Sequence, residues 1–101
     1  MTPEEFALLG LKQGDVIKLH WLDIYEDSVG DTSKAELGLR HTYTLFWETK
    51  LSKGIDCIVT CNTIDSNTSQ QGWCCTPLVL VPRIEVIKRA KKGKVKRGAT
   101  V

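Results

Sequence analysis

The sequence predicts a mainly β fold, a small five-stranded antiparallel barrel that follows a short N-terminal helix and precedes a flexible, basic C-terminal tail. Two segments alternate apolar and polar residues, and five short strand-like segments are separated by polar, glycine- or proline-containing turns. With 101 residues the chain has the length of one domain. We expect it to divide into a helix over 1–12, the barrel over 13–87 and the tail over 88–101.

The N-terminal helix is predicted by a capping pattern. Thr2 can cap the first turn, Pro3 suits the first helical position, and Glu5 completes a T-x-x-E capping box. Phe6 and Leu9 then lie three positions apart on one helical face. The pattern predicts a helix of about two turns that covers an apolar end of the domain.

Gly14 and Asp15 are predicted to turn the chain into the first strand. This strand is predicted at VIKLHWLDIY, where Ile17, Leu19 and Trp21 alternate with Lys18 and His20. Such a period of two is typical of a half-buried strand, and it places the histidine on the outward face. The following residues, 26–42, are polar and contain two glycines, which predicts a long loop with one helical turn at 33–37.

The central strands are predicted from composition and alternation. TYTLFWET is aromatic and β-branched, which favours a strand, and KLSKG is expected to connect it to the next one. In IDCIVTCNT, alternate residues from Ile55 to Cys61 share one face. The pattern therefore predicts a second half-buried strand.

The last two strands are predicted at WCCTPLVLV and IEVIKR. Pro82 lies between them and removes a backbone donor, so we expect the ladder to break at a corner there. Five short strands in sequence indicate an antiparallel meander that curls into a small barrel.

Two segments carry a resemblance to a known group. GDVIKLHWLDIY contains Trp21 and Asp23 in a W-x-D pattern, and VPRIEVIKRAK contains Val81, Pro82 and Arg83 before further β-branched residues. Together they resemble small SH3-like barrel proteins of phages and viruses, over about residues 14–90. The resemblance implies an SH3-like barrel, a phage or viral origin and a place in the host cytoplasm. It implies no activity, because such barrels host many unrelated functions.

Composition argues against export and membrane insertion. The start, MTPEEFALLG, has two acidic residues where a signal peptide needs basic ones, and no apolar run approaches the roughly 18 residues of a membrane span. We therefore expect a cytoplasmic protein with reduced thiols.

Neither the cysteines nor the histidines predict a catalytic or metal site. Cys57 and Cys61 would stand about 13 Å apart along one strand, too far for one zinc ion, and the adjacent Cys74 and Cys75 would point to opposite faces. All four are interpreted as small buried apolar residues. His20 and His41 have no nucleophile at a recognisable spacing. We expect no enzymatic activity, no cofactor and no metal.

An acidic cluster lies in and around the long loop. Three interpretations stay open: a solvated acidic surface, pairing with the protein's own basic tail, and a divalent cation site, although the spacing differs from that of a calcium-binding loop. The residues of the cluster are Asp23, Glu26, Asp27, Asp31 and Glu36.

The chain has three tryptophans, of which one or two are expected in the core. Trp73 follows a polar turn at the mouth of a strand, where aromatic residues are often partly exposed. With Tyr25 beside the long loop, it is a candidate platform for stacking or peptide binding. The alternative is that Trp73 packs in the core or at its rim.

The strongest functional signal is the charge of the C-terminal tail. Residues 88–101 hold seven of the fourteen basic residues and no acidic one, so residues 1–87 carry seven basic against twelve acidic residues. Two glycines disfavour a helix and favour an extended arm. The basic residues are Lys88, Arg89, Lys91, Lys92, Lys94, Lys96 and Arg97.

An arm of this kind neutralises phosphates and gives salt-sensitive, sequence-tolerant affinity. Basic tails also serve only to solubilise, and attachment to a membrane surface is disfavoured because the arm has no aromatic or lipid anchor. The leading hypothesis is a non-enzymatic module that binds nucleic acid through these side chains. The alternatives are a viral accessory protein whose acidic barrel face binds and inhibits a host protein, and a virion component that self-associates through strand edges.

Overall fold

The computed structural model describes residues 1–24, 36–65 and 70–91, except for the side chains of 62–65, 70 and 71. Strands dominate these ranges, and the helix is short. The elements are α1 (Pro3–Ala7), β1 (Val16–Asp23), β2 (Gly38–Ser52), β3 (Ile55–Asp65), β4 (Gln70–Pro77), a 3₁₀ turn (Leu78–Leu80) and β5 (Arg83–Lys88).

The five strands form one antiparallel sheet in the order β4-β3-β2-β1-β5. The prediction of a mainly β fold with five antiparallel strands and one short helix is confirmed. As described, the sheet is open, with β4 and β5 at its edges, and does not close into a barrel. Within the described ranges, no helix has the length and apolarity needed to cross a bilayer.

Helix α1 begins with the predicted capping box. The backbone nitrogen of Glu5 donates to the Thr2 hydroxyl at 3.1 Å, and the Thr2 nitrogen donates back to the Glu5 carboxylate at 2.9 Å. That second bond lowers the pKa of Glu5. The helix has five residues, fewer than the two turns predicted. Phe6 and Leu9 pack against the core as expected, and the Phe6 ring lies 5.7 Å from that of Phe46.

The main core lies under one face of β1, which we call the inner face of the sheet. Ile17 and Leu19 on β1 are buried as the alternation predicted, and Trp21 is partly buried against the same cluster. Neighbouring strands and the segment before β5 supply the rest of the cluster. Its buried members are Ile17, Leu19, Phe46, Ile58, Val81 and Ile84.

Strand β2 is longer than its sequence predicts. It begins at Gly38, so the loop predicted to run to residue 42 ends earlier, and residues 36–37 are neither helix nor strand. The rest of the predicted helical turn at 33–37 lies outside the described residues. β2 also continues to Ser52, through most of the expected connection. The turn itself is only Lys53 and Gly54, which have φ angles of 53° and 79°, the left-handed pair that suits a two-residue hairpin.

Strand β3 is buried on both faces. Ile58 and Thr60 on the inner face are 0% and 1% exposed, and Cys57 and Cys61 on the opposite, outer face are 5% and 3% exposed. Alternation had predicted a half-buried strand. On the outer face, Trp73 is paired with Cys61, and Trp73 and Trp47 lie beside Val59, so large aromatic side chains add to the burial of this face.

The end of the fold matches the proline prediction in part and moves several boundaries. The predicted strand WCCTPLVLV is wrong in its second half, because β4 runs over Gln70–Pro77 and Leu78–Leu80 form a 3₁₀ turn. Val81 and Pro82 separate that turn from β5, so the ladder is interrupted before the last strand as expected. β5 extends to Lys88, and the expected boundary between barrel and tail at residues 87 and 88 therefore falls inside this strand. An irregularity in the pairing of β5 makes Val16 face Lys88, whereas the next residue, Ile17, faces Val86.

Candidate functional site

A buried carboxylate fixes the start of the basic C-terminal segment. Asp15, just before β1, is 1% exposed. One of its oxygens accepts from the Ala90 nitrogen at 2.7 Å, and the other accepts from the Lys12 nitrogen at 2.9 Å and from Nη1 of Arg89 at 3.0 Å. Asp15 therefore joins the segment before β1 to the segment after β5.

Arg89 also contacts the end of the N-terminal segment. Nη1 donates to the Gly10 carbonyl at 3.0 Å, and Nη2 donates to the Leu9 carbonyl at 2.9 Å. Carbonyls near the end of a helix lack intrahelical donors, and a guanidinium supplies them well. We call the contacts of Asp15 with Lys12, Arg89 and Ala90 the clamp.

The clamp determines the charge state of Asp15. Burial alone raises the pKa of this carboxyl, but the bonds from Ala90, Lys12 and Arg89 outweigh burial and hold the pKa below its ordinary value. Asp15 is therefore a carboxylate at neutral pH and keeps Arg89 in place.

The backbone is closely packed beside the clamp. Gly14 has a φ of 95°, and a Cβ atom added to it would lie 3.3 Å from the Cβ of Ala90. Both the left-handed conformation and the close approach favour glycine. The sequence prediction of a turn at Gly14 and Asp15 is confirmed, and its role in holding the C-terminal segment is new.

A cavity of about 540 Å³ opens at the clamp. Lys12, Arg89 and Lys91 contribute cationic side chains to its lining, and Asp15 is the acidic group. Since Asp15 is bonded to Arg89, the remaining charge of this cavity is positive. We call it the root cavity, because the chain leaves the described structure there. Its lining residues are Gly10, Lys12, Gln13, Asp15, Arg89, Ala90 and Lys91.

The basic residues predicted to bind nucleic acid do not all lie in a free arm. Lys88 is exposed at the end of β5, and Lys91 is exposed at the root cavity. Arg89 is half exposed, but its guanidinium already contacts a carboxylate and two carbonyls, so its main role here is structural. Lys92, Lys94, Lys96 and Arg97 lie outside the described residues.

The acidic cluster is only partly described. Asp23 accepts from Nε of Arg40 at 2.8 Å, and Glu36 is exposed. Glu26, Asp27 and Asp31 lie outside the described residues. The carboxylate that pairs with the C-terminal segment in the described part is Asp15, which the cluster did not include.

The structure pairs Trp73 with a different aromatic residue from the one expected. Trp73 is 49% exposed, as expected for a partly exposed aromatic residue, but it lies in the middle of β4 rather than at a strand mouth. Its ring centroid lies 5.0 Å from that of Trp47, nearly edge to face. Tyr25, the expected partner, lies outside the described residues. Lys50, Val59 and Cys75 line a groove of about 310 Å³ beside the two tryptophans.

The cysteines divide into two pairs. Cys57 and Cys61 are buried, as predicted, but Cys74 and Cys75 are exposed, so the expectation of four buried residues is wrong for the pair on β4. β4 is an edge strand with a paired strand on one side only, so fewer neighbouring side chains shield its cysteines from solvent. Burial raises the pKa of the Cys57 thiol, and its contact with Cys75 raises it further.

A second polar cluster lies on the outer face of β1 and β5. Nε2 of His20 lies 2.7 Å from a Glu85 oxygen, and Arg83 bonds the other oxygen at 3.3 Å. The bond from His20 lowers the pKa of Glu85. His20 faces outward as predicted, and His41 is exposed beside it. Across the described ranges, His, Cys, Asp and Glu form no group of three that could hold a metal ion.

Sequence reasoning missed three residues of these sites: Lys12, Asp15 and Trp47. Asp15 was interpreted only as part of a turn, because its partners lie 74 and 75 positions later in the chain. A signal did exist for Trp47, since an aromatic strand beside cysteine-rich strands favours cross-strand packing.

Comparisons with protein-family models, with curated proteins and with solved structures find no match to this chain.

Proposed function

We propose that this protein is a non-enzymatic SH3-like barrel module, of the phage or viral type that its sequence resembles, which binds nucleic acid through its basic C-terminal arm. The observation that carries the proposal is the clamp. It holds the start of the arm against the domain and leaves the cationic root cavity open beside it.

The strand arrangement supports the barrel. β2 has fifteen residues and pairs with β1 through its first half and with β3 through its second half. A register shift near Trp47 lies close to the start of the half that pairs with β3, and such a bulge bends and twists a strand. The order β5-β1-β2-β3-β4, with a bulge in its middle strand, suits a sheet that folds over a single core.

Charge supports the ligand. A flexible polyanion gains from several cations close together, because each phosphate contact releases counterions. Lys12 and Lys91 both line the root cavity, and four further cations follow in the arm. A fixed root reduces the entropy lost when the arm meets a phosphate chain.

The test is deletion of residues 92–101, which removes four cations and retains the clamp. We expect affinity for a 20-base-pair duplex to fall, and the slope of log K against log salt to become shallower by about 3 to 4, since each duplex contact contributes roughly 0.9. Fluorescence anisotropy over a range of NaCl concentrations measures both quantities.

The matched control changes charge without changing length: Lys92, Lys94, Lys96 and Arg97 are all replaced by Gln. It should behave like the deletion. A second control, Lys53→Gln, removes a cation at the β2–β3 turn and should leave the slope unchanged. The proposal is wrong if the deletion binds the duplex as tightly as the full chain at low salt.

A further inference from the structure

One row of paired residues crosses the whole sheet. Lys88 faces Val16, Val16 faces Leu45, Leu45 faces Cys61, and Cys61 faces Trp73. Directly paired residues in a sheet have side chains on the same face. The register irregularity at β5 places Lys88 in this row. A cation and an exposed tryptophan therefore lie at opposite ends of one strip of the outer face.

The strip has the length of a short run of nucleotides. It spans four strand-to-strand intervals of about 4.8 Å, or roughly 19 Å along the sheet, and less if the sheet curls. Small single-strand-binding barrels cover about 4 to 16 nucleotides. A chain whose phosphates meet the root cavity beside Arg89 can thus reach Trp73 within one binding site.

The far end of the strip offers an aromatic surface. Trp73 is half exposed, and Trp47 contacts it from one side, which restricts its motion. The groove beside them holds about 310 Å³. Lys50 and Glu48 both line this groove, so a phosphate is attracted by Lys50 and repelled by Glu48.

The middle of the strip offers a second stacking residue. Tyr43 is 61% exposed and lies two positions before Leu45 on β2, so it shares the outer face. Nζ of Lys18 lies 5.6 Å from the centre of its ring. The ring of Tyr43 can stack on one base, and the ammonium of Lys18 can pair with its phosphate.

We propose that the outer face binds single-stranded nucleic acid, with one base stacked on Trp73 beside Trp47 and the next bases crossing the strip toward Tyr43. This inference rests on the proposed function. It adds a preference for single strands, because bases in a duplex are already stacked and do not present a π-face to a protein ring.

An apolar peptide fits the strip less well. Cations lie at both ends and in the middle, at Lys50, Lys88 and Lys18, of which Lys18 also lies 4.0 Å from a Glu85 oxygen. An apolar partner would have to desolvate or avoid them, whereas a phosphate chain pairs with them.

The experiment compares a dT20 strand with a 20-base-pair duplex on the full chain and on two variants of one residue. Trp73→Leu keeps an apolar side chain without a π-face, and Trp73→Phe keeps a smaller π-face. We expect the full chain to prefer dT20 at the same salt concentration. Trp73→Leu should weaken dT20 binding roughly 5- to 150-fold, and Trp73→Phe should restore most of it.

Duplex affinity and both salt slopes should stay unchanged in these variants, because the arm is intact. Val79→Ala, at an exposed apolar residue of the 3₁₀ turn, is the matched control and should change neither affinity. Thermal unfolding checks the fold of each variant. Quenching of tryptophan fluorescence by dT20 gives an independent readout on the unmodified protein.

The results separate the two proposals. If Trp73→Leu binds dT20 like the full chain, or if dT20 quenches no tryptophan emission at saturation, the stacking site is wrong and binding by the arm stands. If the full chain binds neither ligand at low salt, the proposed function fails and the stacking site fails with it.

Discussion

The sheet has two halves that share β2 and differ in how they bury their strands. In the β5-β1-β2 half, the fully buried residues of β1 lie on the inner face, and the outer face of β1 carries Lys18 and His20 beside Glu85 on β5. In the β2-β3-β4 half, β3 has buried residues on both faces, and on the outer face Trp73 lies beside Cys61 and contacts Trp47.

This difference shows how one open sheet can hold both a polar surface and a second apolar cluster. An outer face of polar residues needs no cover, since water and neighbouring side chains satisfy it. An outer face of cysteine and valine favours other side chains packed over it, because exposed apolar area is unfavourable. The tryptophans supply that cover and remain partly exposed, so a stacking surface results from covering the strand.

The largest effect is expected from truncation of β3 in the doubly buried half. Ile58→Ala removes a fully buried side chain on an interior strand of the sheet and should lower the free energy of unfolding by about 2 to 5 kcal/mol. Ile55→Ala, on the same strand but 49% exposed, should cost less than about 1 kcal/mol. Urea unfolding measures both, and equal losses would contradict the difference in burial.

A smaller effect is expected at the clamp beside the singly buried half. Asp15→Asn keeps the size of the side chain but loses its charge, and its amide meets donors from Lys12, Arg89 and Ala90. We expect a loss of about 2 to 3 kcal/mol at pH 7, measured by urea unfolding. Glu4→Gln on α1 serves as the control with no expected loss.

The stability difference between the natural protein and Asp15→Asn is expected to depend on pH. Because the pKa of Asp15 is lower in the native than in the unfolded state, its contribution is complete above the unfolded value, about 3.9. The contribution disappears as the pH falls through the native pKa. The stability difference between the natural protein and Asp15→Asn should therefore narrow below about pH 4. A constant difference down to pH 2 would mean that the carboxylate charge is not responsible.

The last prediction involves no substitution and no change in stability. It concerns how fast the cysteines of the β2-β3-β4 half react with a thiol reagent. Cys74 and Cys75 are exposed and should react with a thiol reagent in the folded protein, whereas burial and a raised pKa should keep Cys57 unreactive until unfolding. Mass spectrometry of partly labelled protein identifies the sites. Early labelling of Cys57 would show that the outer face of β3 becomes accessible to solvent without global unfolding.

Local patterns predicted much of the fold. The capping box, the inner residues of β1 and the break at Pro82 all depend on neighbours in sequence, and all three are confirmed. The extent of β2 was missed because residues 38–42, apart from Leu39, are glycine or polar, and they form a strand by pairing with the backbone of β1.

The candidate sites were harder to predict because their residues are far apart in the chain. Trp47 and Trp73 meet across β3, and the pairing register determines that contact. The basic C-terminal segment was expected to be free from residue 88 onward, but its first residues belong to β5 and the clamp. Composition predicted the positive charge of this segment but not which residues bind its first part to the domain.

By itself, the sequence determined the elements that short-range sterics and hydrogen bonding control, together with the separation of acidic and basic residues along the chain. Only the tertiary structure decided that Asp15 holds Arg89 and that Lys88 and Trp73 share one row of the outer face. The reason is physical: a contact between distant residues depends on strand register and curvature, and those follow from packing of the whole sheet rather than from any local pattern.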